Sequence, residues 1–282
     1  MQFESNNLTG PLTEPFFSET PHLVEIHLTH NQLTGTIPIE LFQNIKLKVI
    51  DLSSNPFEGS LKSDVGNLLD LKGLYMDSAA ITGTLPSELA NCASLSEISL
   101  DSNRLQGRFP DALIRWNTIT GIWLHDNLLS GSIPFYVNQF NRTLIALDLS
   151  ENQFTGSLPD ELFALTNLQM LDLHLNHLTG TISPSFSKFG NQLVVLSLAQ
   201  NPLHGTITTE LAKVSAIYQL DLFGTDLTGE VPSQICSLRG GANGLTFLTA
   251  DCAPDANGTA QIICSCCTMC CHADGSNCSA SK

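Results

Sequence analysis

The chain has 282 residues, with 12 basic and 27 acidic side chains and a formal net charge of −15. This balance argues against DNA or RNA as a partner, because nucleic-acid binding needs clustered Lys and Arg that replace counterions. It also disfavours an anionic membrane surface, and no stretch approaches the roughly 18 apolar residues of a membrane helix, so we expect no direct membrane insertion of this segment. Basic or neutral partners are favoured, although the acidity could equally serve only to keep a long surface soluble.

One template recurs along the chain. Over residues 23–38 it reads LVEIHLTHNQLTGTIP, or L-x-x-I-x-L-x-x-N-x-L-x-G-x-I-P, and its copies lie 24 or 25 residues apart. Aligned on the asparagine slot, the copies fall at Asn6, Asn31, Asn55, Ala79, Asn103, Asn127, Asn152, Asn176, Asn201 and Thr225. Such a constant step predicts stacked structural repeats rather than one globular core.

Each part of the template predicts a local structure. The buried slots Ile26 and Leu28 alternate with polar residues, which indicates a short strand with one buried face. Stacked copies would form a parallel sheet with strands about 4.8 Å apart. The amide of Asn31 can bond backbone groups at the turn, and the following IELFQNIK segment suggests a short helix or 3₁₀ turn. Ala79 lacks an amide, so we expect weaker turn packing there.

The L-x-G-x-I-P segments, such as Leu33–Pro38, Leu129–Pro134 and Phe154–Pro159, resemble the plant-type leucine-rich repeat family. The resemblance covers roughly residues 1–250. It implies an α/β solenoid, a right-handed superhelix of about ten repeats with a concave parallel β-sheet. The chain opens inside a repeat, so we expect a solenoid over 1–249 whose N-terminal cap is missing, and a cysteine-rich C-terminal cap over 250–282. The tail is similar to those of some algal leucine-rich repeat proteins.

Eight of the nine cysteines lie at the C-terminal end, namely Cys236, Cys252, Cys264, Cys266, Cys267, Cys270, Cys271 and Cys278. An even number in a short, coreless tail predicts a disulfide framework and an oxidising compartment, with the pairing left open. A metal–thiolate cluster is the alternative, because five thiols and one imidazole fall within Cys264–His272. We favour disulfides and expect no metal or cofactor. Cys92 is expected to be a buried small hydrophobe.

Four N-x-S/T sequons, at Asn7, Asn141, Asn257 and Asn277, are candidate glycosylation sites. Together with the cysteines they favour a secretory route and an extracellular or cell-surface location. A membrane anchor could then lie in the missing N-terminal part.

Two large aromatics interrupt an otherwise polar column, the one formed by the residues between the two buried slots of each strand. Tyr75 and Trp123 occupy positions that should face solvent, and acidic and histidine side chains surround them. An aromatic ringed by polar groups is typical of an interaction hot spot. The alternative is a solvated acidic sheet with two incidental aromatics. The predicted ligand-binding residues are Tyr75, Asp77, Asp101, Trp123, His125, Asp126, Asp148, Asp172 and His174.

These residues do not indicate an enzyme. His125 lies beside Asp126, but the sequence specifies no nucleophile or oxyanion device, and a shallow sheet excludes water poorly. A metal site built from Asp101, His125 and His174 is disfavoured because Ser150 interrupts the column. We therefore expect a non-catalytic chain with no metal at this surface.

The family resemblance implies an extracellular recognition module that binds a protein or peptide on its concave face, in signalling or defence. The inner columns lack the paired arginines that receptors for free-carboxylate peptides share, so a basic peptide, a basic protein patch or a neutral glycan fits better. One alternative is a secreted inhibitor of a cell-wall hydrolase. A structural or adhesive cell-surface glycoprotein is the other.

Overall fold

The structure is a computed structural model that describes residues 1–240, 244–255, 258–273 and 278–280. The chain divides into two compact units, Met1–Leu144 (unit 1) and Ile145–Lys282 (unit 2). Within each unit, a typical coil contains a short inner strand, a turn, an outer strand and a 3₁₀ helix. This order repeats the order of the sequence template.

Unit 1 alternates short strands with helices. In chain order its elements are β1 (Thr9–Pro11), α1 (Glu14–Ser18), β2 (Glu25–His27), β3 (Gln32–Thr36), η1 (Ile39–Gln43), β4 (Val49–Asp51), β5 (Phe57–Glu58), η2 (Ser63–Asn67), β6 (Gly73–Tyr75), β7 (Thr82–Thr84), η3 (Ser87–Asn91), β8 (Glu97–Ser99), β9 (Arg104–Gly107), η4 (Asp111–Arg115), β10 (Gly121–Trp123), β11 (Leu128–Gly131) and η5 (Phe135–Phe140), where η denotes a 3₁₀ helix.

The inner strands of unit 1 form one parallel sheet in the order β2-β4-β6-β8-β10. Their central residues pair in register from Ile26 to Ile122 and are buried, as the period-two alternation predicts. The outer strands form smaller parallel sheets, β1-β3-β5 and β7-β9-β11. We call the side of the inner sheet that faces away from the core the strand face.

Unit 2 continues the same alternation. Its elements are β12 (Ala146–Asp148), β13 (Gln153–Ser157), η6 (Asp160–Ala164), β14 (Met170–Asp172), β15 (His177–Thr179), η7 (Pro184–Phe189), β16 (Val195–Ser197), β17 (His204–Thr206), η8 (Thr209–Lys213), β18 (Gln219–Asp221), β19 (Asp226–Glu230), α2 (Ser233–Cys236), β20 (Phe247–Ala250), β21 (Ile262–Ile263), β22 (Met269–Cys270) and β23 (Ser279–Ala280).

The inner sheet of unit 2 is parallel in the order β12-β14-β16-β18-β20-β22, and β23 joins β22 antiparallel. The cysteine-rich tail adds strands to both sheets of the last repeats. Its strand β22 joins the inner sheet beside β20, and its strand β21 pairs with the outer strand β19. The predicted division at residue 250 stays a prediction. The predicted fold class, a leucine-rich repeat solenoid with a parallel inner sheet, is confirmed.

The asparagine slot holds the turns together. Asn127 donates its amide to the carbonyl oxygens of Leu100, Leu124 and His125 at 2.9, 3.2 and 3.1 Å, and its Oδ1 accepts from the Leu105 backbone N–H at 2.8 Å. Asn55, Asn176 and Asn201 make equivalent sets of bonds. Each amide thereby satisfies buried backbone groups of its own coil and the preceding one.

Two repeats have another residue in the asparagine slot, Ala79 and Thr225, and these two positions interrupt the ladder of asparagine amides. Different residues bond to the backbone at each of them. Beside the buried Ala79, the Oδ1 of Asn103 accepts two backbone N–H groups, from Ala79 at 3.2 Å and from Ile81 at 2.8 Å. At Thr225, the fully buried carboxylate of Asp251 accepts the N–H groups of Gly224 and Thr225 at 2.8 and 3.0 Å. A neighbouring coil thus supplies hydrogen-bond partners at both breaks, while weaker packing at Ala79 stays a prediction.

All eight C-terminal cysteines form disulfides, which confirms the predicted framework. The pairs are Cys236–Cys266, Cys252–Cys270, Cys264–Cys267 and Cys271–Cys278. The sulfurs of Cys252, Cys264 and Cys267 lie within 4.8 Å of one another, close enough for a shared metal, but here two disulfides hold them. Cys92 is buried and free. Among the described residues, no helix has the length and apolar character that crossing a bilayer requires.

Candidate ligand-binding surface

The strand face of unit 1 presents the two predicted aromatics on strands separated by one other strand. Tyr75 ends β6 and Trp123 ends β10, and both pair in register with Ser99 of the intervening β8. Each aromatic side chain is partly exposed. With strands about 4.8 Å apart, the two rings flank β8 on either side of it.

A glycine lies beneath each aromatic ring. A Cβ built on Gly73 would stand 2.6 Å from the Tyr75 ring, and one built on Gly121 would stand 2.1 Å from the Trp123 indole. Residues two apart on a strand share one face, so each ring folds back over the glycine that precedes it by two positions. A larger residue there would displace the ring.

Glu97 of β8 lies between the two aromatic–glycine pairs, because it pairs in register with Gly73 on one side and Gly121 on the other. The Tyr75 hydroxyl donates to Glu97 Oε2 at 2.5 Å. Burial raises the pKa of Tyr75, and the hydrogen bond to Glu97 and the charges of Glu97 and Asp51 raise it further. Tyr75 therefore remains a neutral hydrogen-bond donor.

A second hydrogen-bonded group follows Glu97 along the same face. Ser99 Oγ donates to Asp101 Oδ1 at 2.6 Å, and His125 Nε2 lies 3.5 Å from Asp101 Oδ2. Asp77 is partly exposed, and Asp126 is exposed in the following turn at φ 52°. Unit 1 thus holds six of the predicted ligand-binding residues, those from Tyr75 to Asp126, on one sheet and in the turns that follow its strands.

The three predicted residues of unit 2 interact with polar side chains of their own turn or of a neighbouring one. Asp172 Oδ1 lies 2.7 Å from His174 Nδ1, and His174 Nε2 lies 3.5 Å from Glu151 Oε1. The hydrogen bond that the His174 ring donates to Asp172 raises the pKa of His174, burial opposes this, and the charges of Asp172, Glu151 and Asp148 add to the increase. Asp148 is buried, and its carboxylate accepts both the N–H and the hydroxyl of Ser150. Its role as a ligand contact stays a prediction, and its burial weighs against that role.

Three residues of this surface were not among the predicted site residues: Gly73, Glu97 and Gly121. The exposed strand positions considered from the sequence begin at the residue between the two buried slots, which is two residues after Gly73, Glu97 and Gly121. Period-two alternation places residues 73, 75 and 77 on the same face, and it is the signal that identifies the missing column.

Of the candidate glycosylation sites, Asn7 and Asn141 are exposed, which an acceptor requires. Asn257 and Asn277 lie outside the described residues. Glycosylation at all four stays a prediction.

The comparisons with known proteins agree with this architecture. The family description Leucine Rich Repeat matches residues 22–44, 46–68, 143–165 and 167–189. No curated protein matches the chain significantly. Solved structures with the same fold and the regular register of the inner strands agree with this match. The chain belongs to the leucine-rich repeat family.

Similar solved structures include plant receptor ectodomains. The ectodomain of the receptor kinase GASSHO1/SCHENGEN3 from Arabidopsis thaliana, solved with CASPARIAN STRIP INTEGRITY FACTOR 2, is 31% identical over 88% of this chain, with a TM-score of 0.81. The Arabidopsis receptor kinase HAESA, solved with the peptide hormone IDA and the co-receptor SERK1, is 30% identical over 89% of this chain, with a TM-score of 0.80.

The chain spans only 29% of the GASSHO1 chain and 42% of the HAESA chain. A plant ice-binding protein is also similar, with 26% identity over 82% of this chain and 74% of that one and a TM-score of 0.70. Proteins with different roles share this fold, so the fold alone does not define what this chain binds.

Proposed function

We propose that this chain is an extracellular recognition module that binds a protein or peptide ligand on its strand face, in a signalling or defence role. One observation carries the proposal: Tyr75 and Trp123 lie partly exposed over glycines on the strand face, with carboxylates between them. Aromatic side chains at such positions lose little conformational entropy on binding and supply large contact areas. The related ectodomains of GASSHO1 and HAESA were solved with a protein factor and a peptide hormone, respectively.

Two features support an extracellular location. The four disulfides of the tail need an oxidising compartment to form and persist. The exposed sequons at Asn7 and Asn141 are acceptors that the secretory route would glycosylate. The same route serves the two alternatives, a hydrolase inhibitor and a structural glycoprotein.

Binding is preferred to catalysis because the polar groups of the strand face bond to one another. Glu97 accepts from Tyr75, and Asp101 accepts from Ser99. These bonds fix the surface in one arrangement, which favours recognition because little is left to order when a ligand arrives. The acidic surface of unit 1 favours ligands with basic groups.

The test is a selection of random displayed peptides against the immobilised protein, followed by affinity measurement on variants. The doubly substituted variant Tyr75→Ala/Trp123→Ala should bind the selected peptides at least about tenfold more weakly, as expected for loss of two hot-spot aromatics. Phe135→Ala is the matched control, because Phe135 is 69% exposed in η5, away from the inner strands. It should leave the affinity unchanged.

Two results would count against the proposal. If the selected peptides bind the double variant as well as the parent, the strand face is not the binding surface. If no peptide is enriched and a glycan array gives binding that depends on Trp123, the ligand is a sugar and the peptide assignment is wrong. Inhibition of a cell-wall hydrolase by the parent but not by the double variant would support the inhibitor alternative.

A further inference from the structure

The arrangement of the strand face in unit 1 indicates the chemistry of one ligand group. Glu97 is the middle member of the register Gly73↔Glu97↔Gly121, and the rings of Tyr75 and Trp123 cover the two glycines. The carboxylate therefore has an aromatic ring on the strand to each side, at the spacing of neighbouring strands, about 4.8 Å. Two aromatic rings around one carboxylate form the kind of cage that proteins use to hold organic cations.

The charge of the surface favours the same class of ligand. Unit 1 carries the carboxylates of Asp51, Asp77, Glu97, Asp101 and Asp126 on its inner strands or the turns that follow them. The inner strands of unit 1 contain no Lys or Arg, and Lys48 and Lys72 precede β4 and β6. A cation brought to Glu97 would reduce the repulsion among these carboxylates, whereas a neutral sugar would leave it unchanged.

Trp123 also offers a hydrogen-bond donor to a ligand. Across the described parts of the chain, the Trp123 indole N–H has no protein acceptor, while the Tyr75 hydroxyl is held by Glu97. A ligand whose side chain lies against the rings could therefore accept the indole N–H with a backbone carbonyl. This combination suits a cationic side chain of a peptide.

Arginine fits these features better than lysine does. Its planar guanidinium stacks on an aromatic face, and its fork of N–H donors can bond a carboxylate at the same time. It is also less strongly hydrated than an ammonium group, so a partly exposed surface can desolvate it at lower cost. Glu97 can accept from it while keeping its bond to Tyr75, because a carboxylate has several acceptor positions.

We infer that the cage formed by Tyr75, Glu97 and Trp123 binds the guanidinium group of an arginine side chain in a peptide ligand. The inference rests on the proposed function and specifies the ligand group that this surface recognises. Tyr75 and Trp123 supply the ring faces, and Glu97 supplies the countercharge. The adjoining Asp101 adds negative potential on the same face.

The test is a titration of the intact protein, followed by NMR, with the capped peptide acetyl-Gly-Arg-Gly-amide at about 0.15 M salt. The indole N–H signal of Trp123 should shift and saturate. The chain has two tryptophans, and Trp116 provides an internal reference because it is buried and donates to the Leu89 carbonyl at 3.0 Å. The peptide in which citrulline replaces arginine keeps the shape without the charge, and it should bind at least about tenfold more weakly.

Two variants test whether the cage is responsible for the binding. Glu97→Gln should weaken binding of the arginine peptide about three- to tenfold. Trp123→Phe should weaken it by a similar factor; because this variant lacks the indole, its binding is measured from the NMR signals of the backbone amides of residues 121–125. Glu58→Gln removes the same charge from the exposed outer strand β5 and should leave the affinity within about twofold.

Equal binding of the arginine and citrulline peptides, or a loss in Glu58→Gln as large as in Glu97→Gln, would overturn the arginine site. Absence of any shift at Trp123 would overturn it as well. These results are separate from the selection of displayed peptides. If selected peptides still depend on Tyr75 and Trp123, the proposed function stands and only the arginine assignment fails.

Discussion

The indole of Trp123 occupies the space that a side chain on Gly121 would need, since a Cβ built on Gly121 would stand 2.1 Å from the ring. Both residues belong to β10 and lie on the same face, two positions apart. Tyr75 and Gly73 repeat the relationship on β6. The orientation of each exposed aromatic therefore depends on the absence of a side chain at the preceding position on its own strand.

The first prediction concerns Gly121→Ala. The added methyl group should push the indole away from the sheet and destabilise the protein by about 1–3 kcal/mol, as overpacking does. The φ angle of Gly121 is not in the left-handed region, so backbone strain adds nothing. Urea denaturation followed by circular dichroism measures the change.

The same substitution in a Trp123→Ala background separates the ring contact from other causes. Without the indole, Gly121→Ala should leave the free energy of unfolding unchanged or raise it by about 0.5–1 kcal/mol, because glycine is unfavourable in strand interiors. A penalty of equal size in both backgrounds would mean that Trp123 does not depend on Gly121 in this way.

The repeat architecture follows from the sequence because each template slot reports a backbone requirement. Alternating slots such as Ile26 and Leu28 must face a core, and a buried turn needs an amide such as that of Asn31. Regular spacing alone then determines which strands pair. The fold class could therefore be predicted almost completely.

The candidate site could be predicted only in part. The alternation places Tyr75 and Trp123 on the strand face, but it contains no information on rotamers or on bonds between coils. The Tyr75–Glu97 hydrogen bond joins residues on neighbouring strands, and Asp148 is buried with its carboxylate bonded to Ser150. Disulfide pairing needs distances between sulfurs, which cysteine spacing does not give.

The second prediction concerns the asparagine ladder. Asn127→Ala removes three donated bonds and one accepted bond from buried backbone groups, and it should lower the free energy of unfolding by about 2–4 kcal/mol. Urea denaturation of the parent and the variant measures this difference. Asn117→Ala is the matched control, because Asn117 is an exposed residue of the same unit. Equal stability of the two variants would show that the ladder contributes little.

The third prediction follows from His174 and its partner Asp172. The pKa of His174 is raised above its ordinary value of 6.5, chiefly by the hydrogen bond that its ring donates to Asp172, so the folded state favours the protonated ring. This contribution to stability is fully present below the ordinary pKa and is lost as the pH rises through the folded pKa. The free energy of unfolding of the parent should fall relative to that of His174→Gln as the pH rises above about 6.5.

An NMR titration of the His174 ring protons tests the cause directly. In the parent their midpoint should lie above 6.5, and Asp172→Asn should move it down because the principal hydrogen-bond acceptor loses its charge. A midpoint that does not respond to Asp172→Asn would exclude this hydrogen bond as the cause of the raised pKa.

The last prediction distinguishes Cys92 from the eight cysteines of the tail. Four disulfides leave Cys92 as the single free thiol among nine cysteines. Its side chain is fully buried and donates to the Val65 carbonyl at 3.3 Å, and burial raises the pKa of its thiol to about 12. Because the thiolate is the reactive form, the native protein should react negligibly with a thiol-specific reagent at neutral pH.

In denaturant without reductant, the same reagent should detect about one thiol per chain, and Cys92→Ser should abolish that signal. More than one thiol would mean that part of the tail framework is reduced. Release of zinc together with several thiols would favour the metal–thiolate alternative at Cys252, Cys264 and Cys267, whose sulfurs lie close enough to share an ion. Rapid reaction of the native protein would contradict the burial of Cys92, because a fully buried, protonated thiol is inaccessible to the reagent.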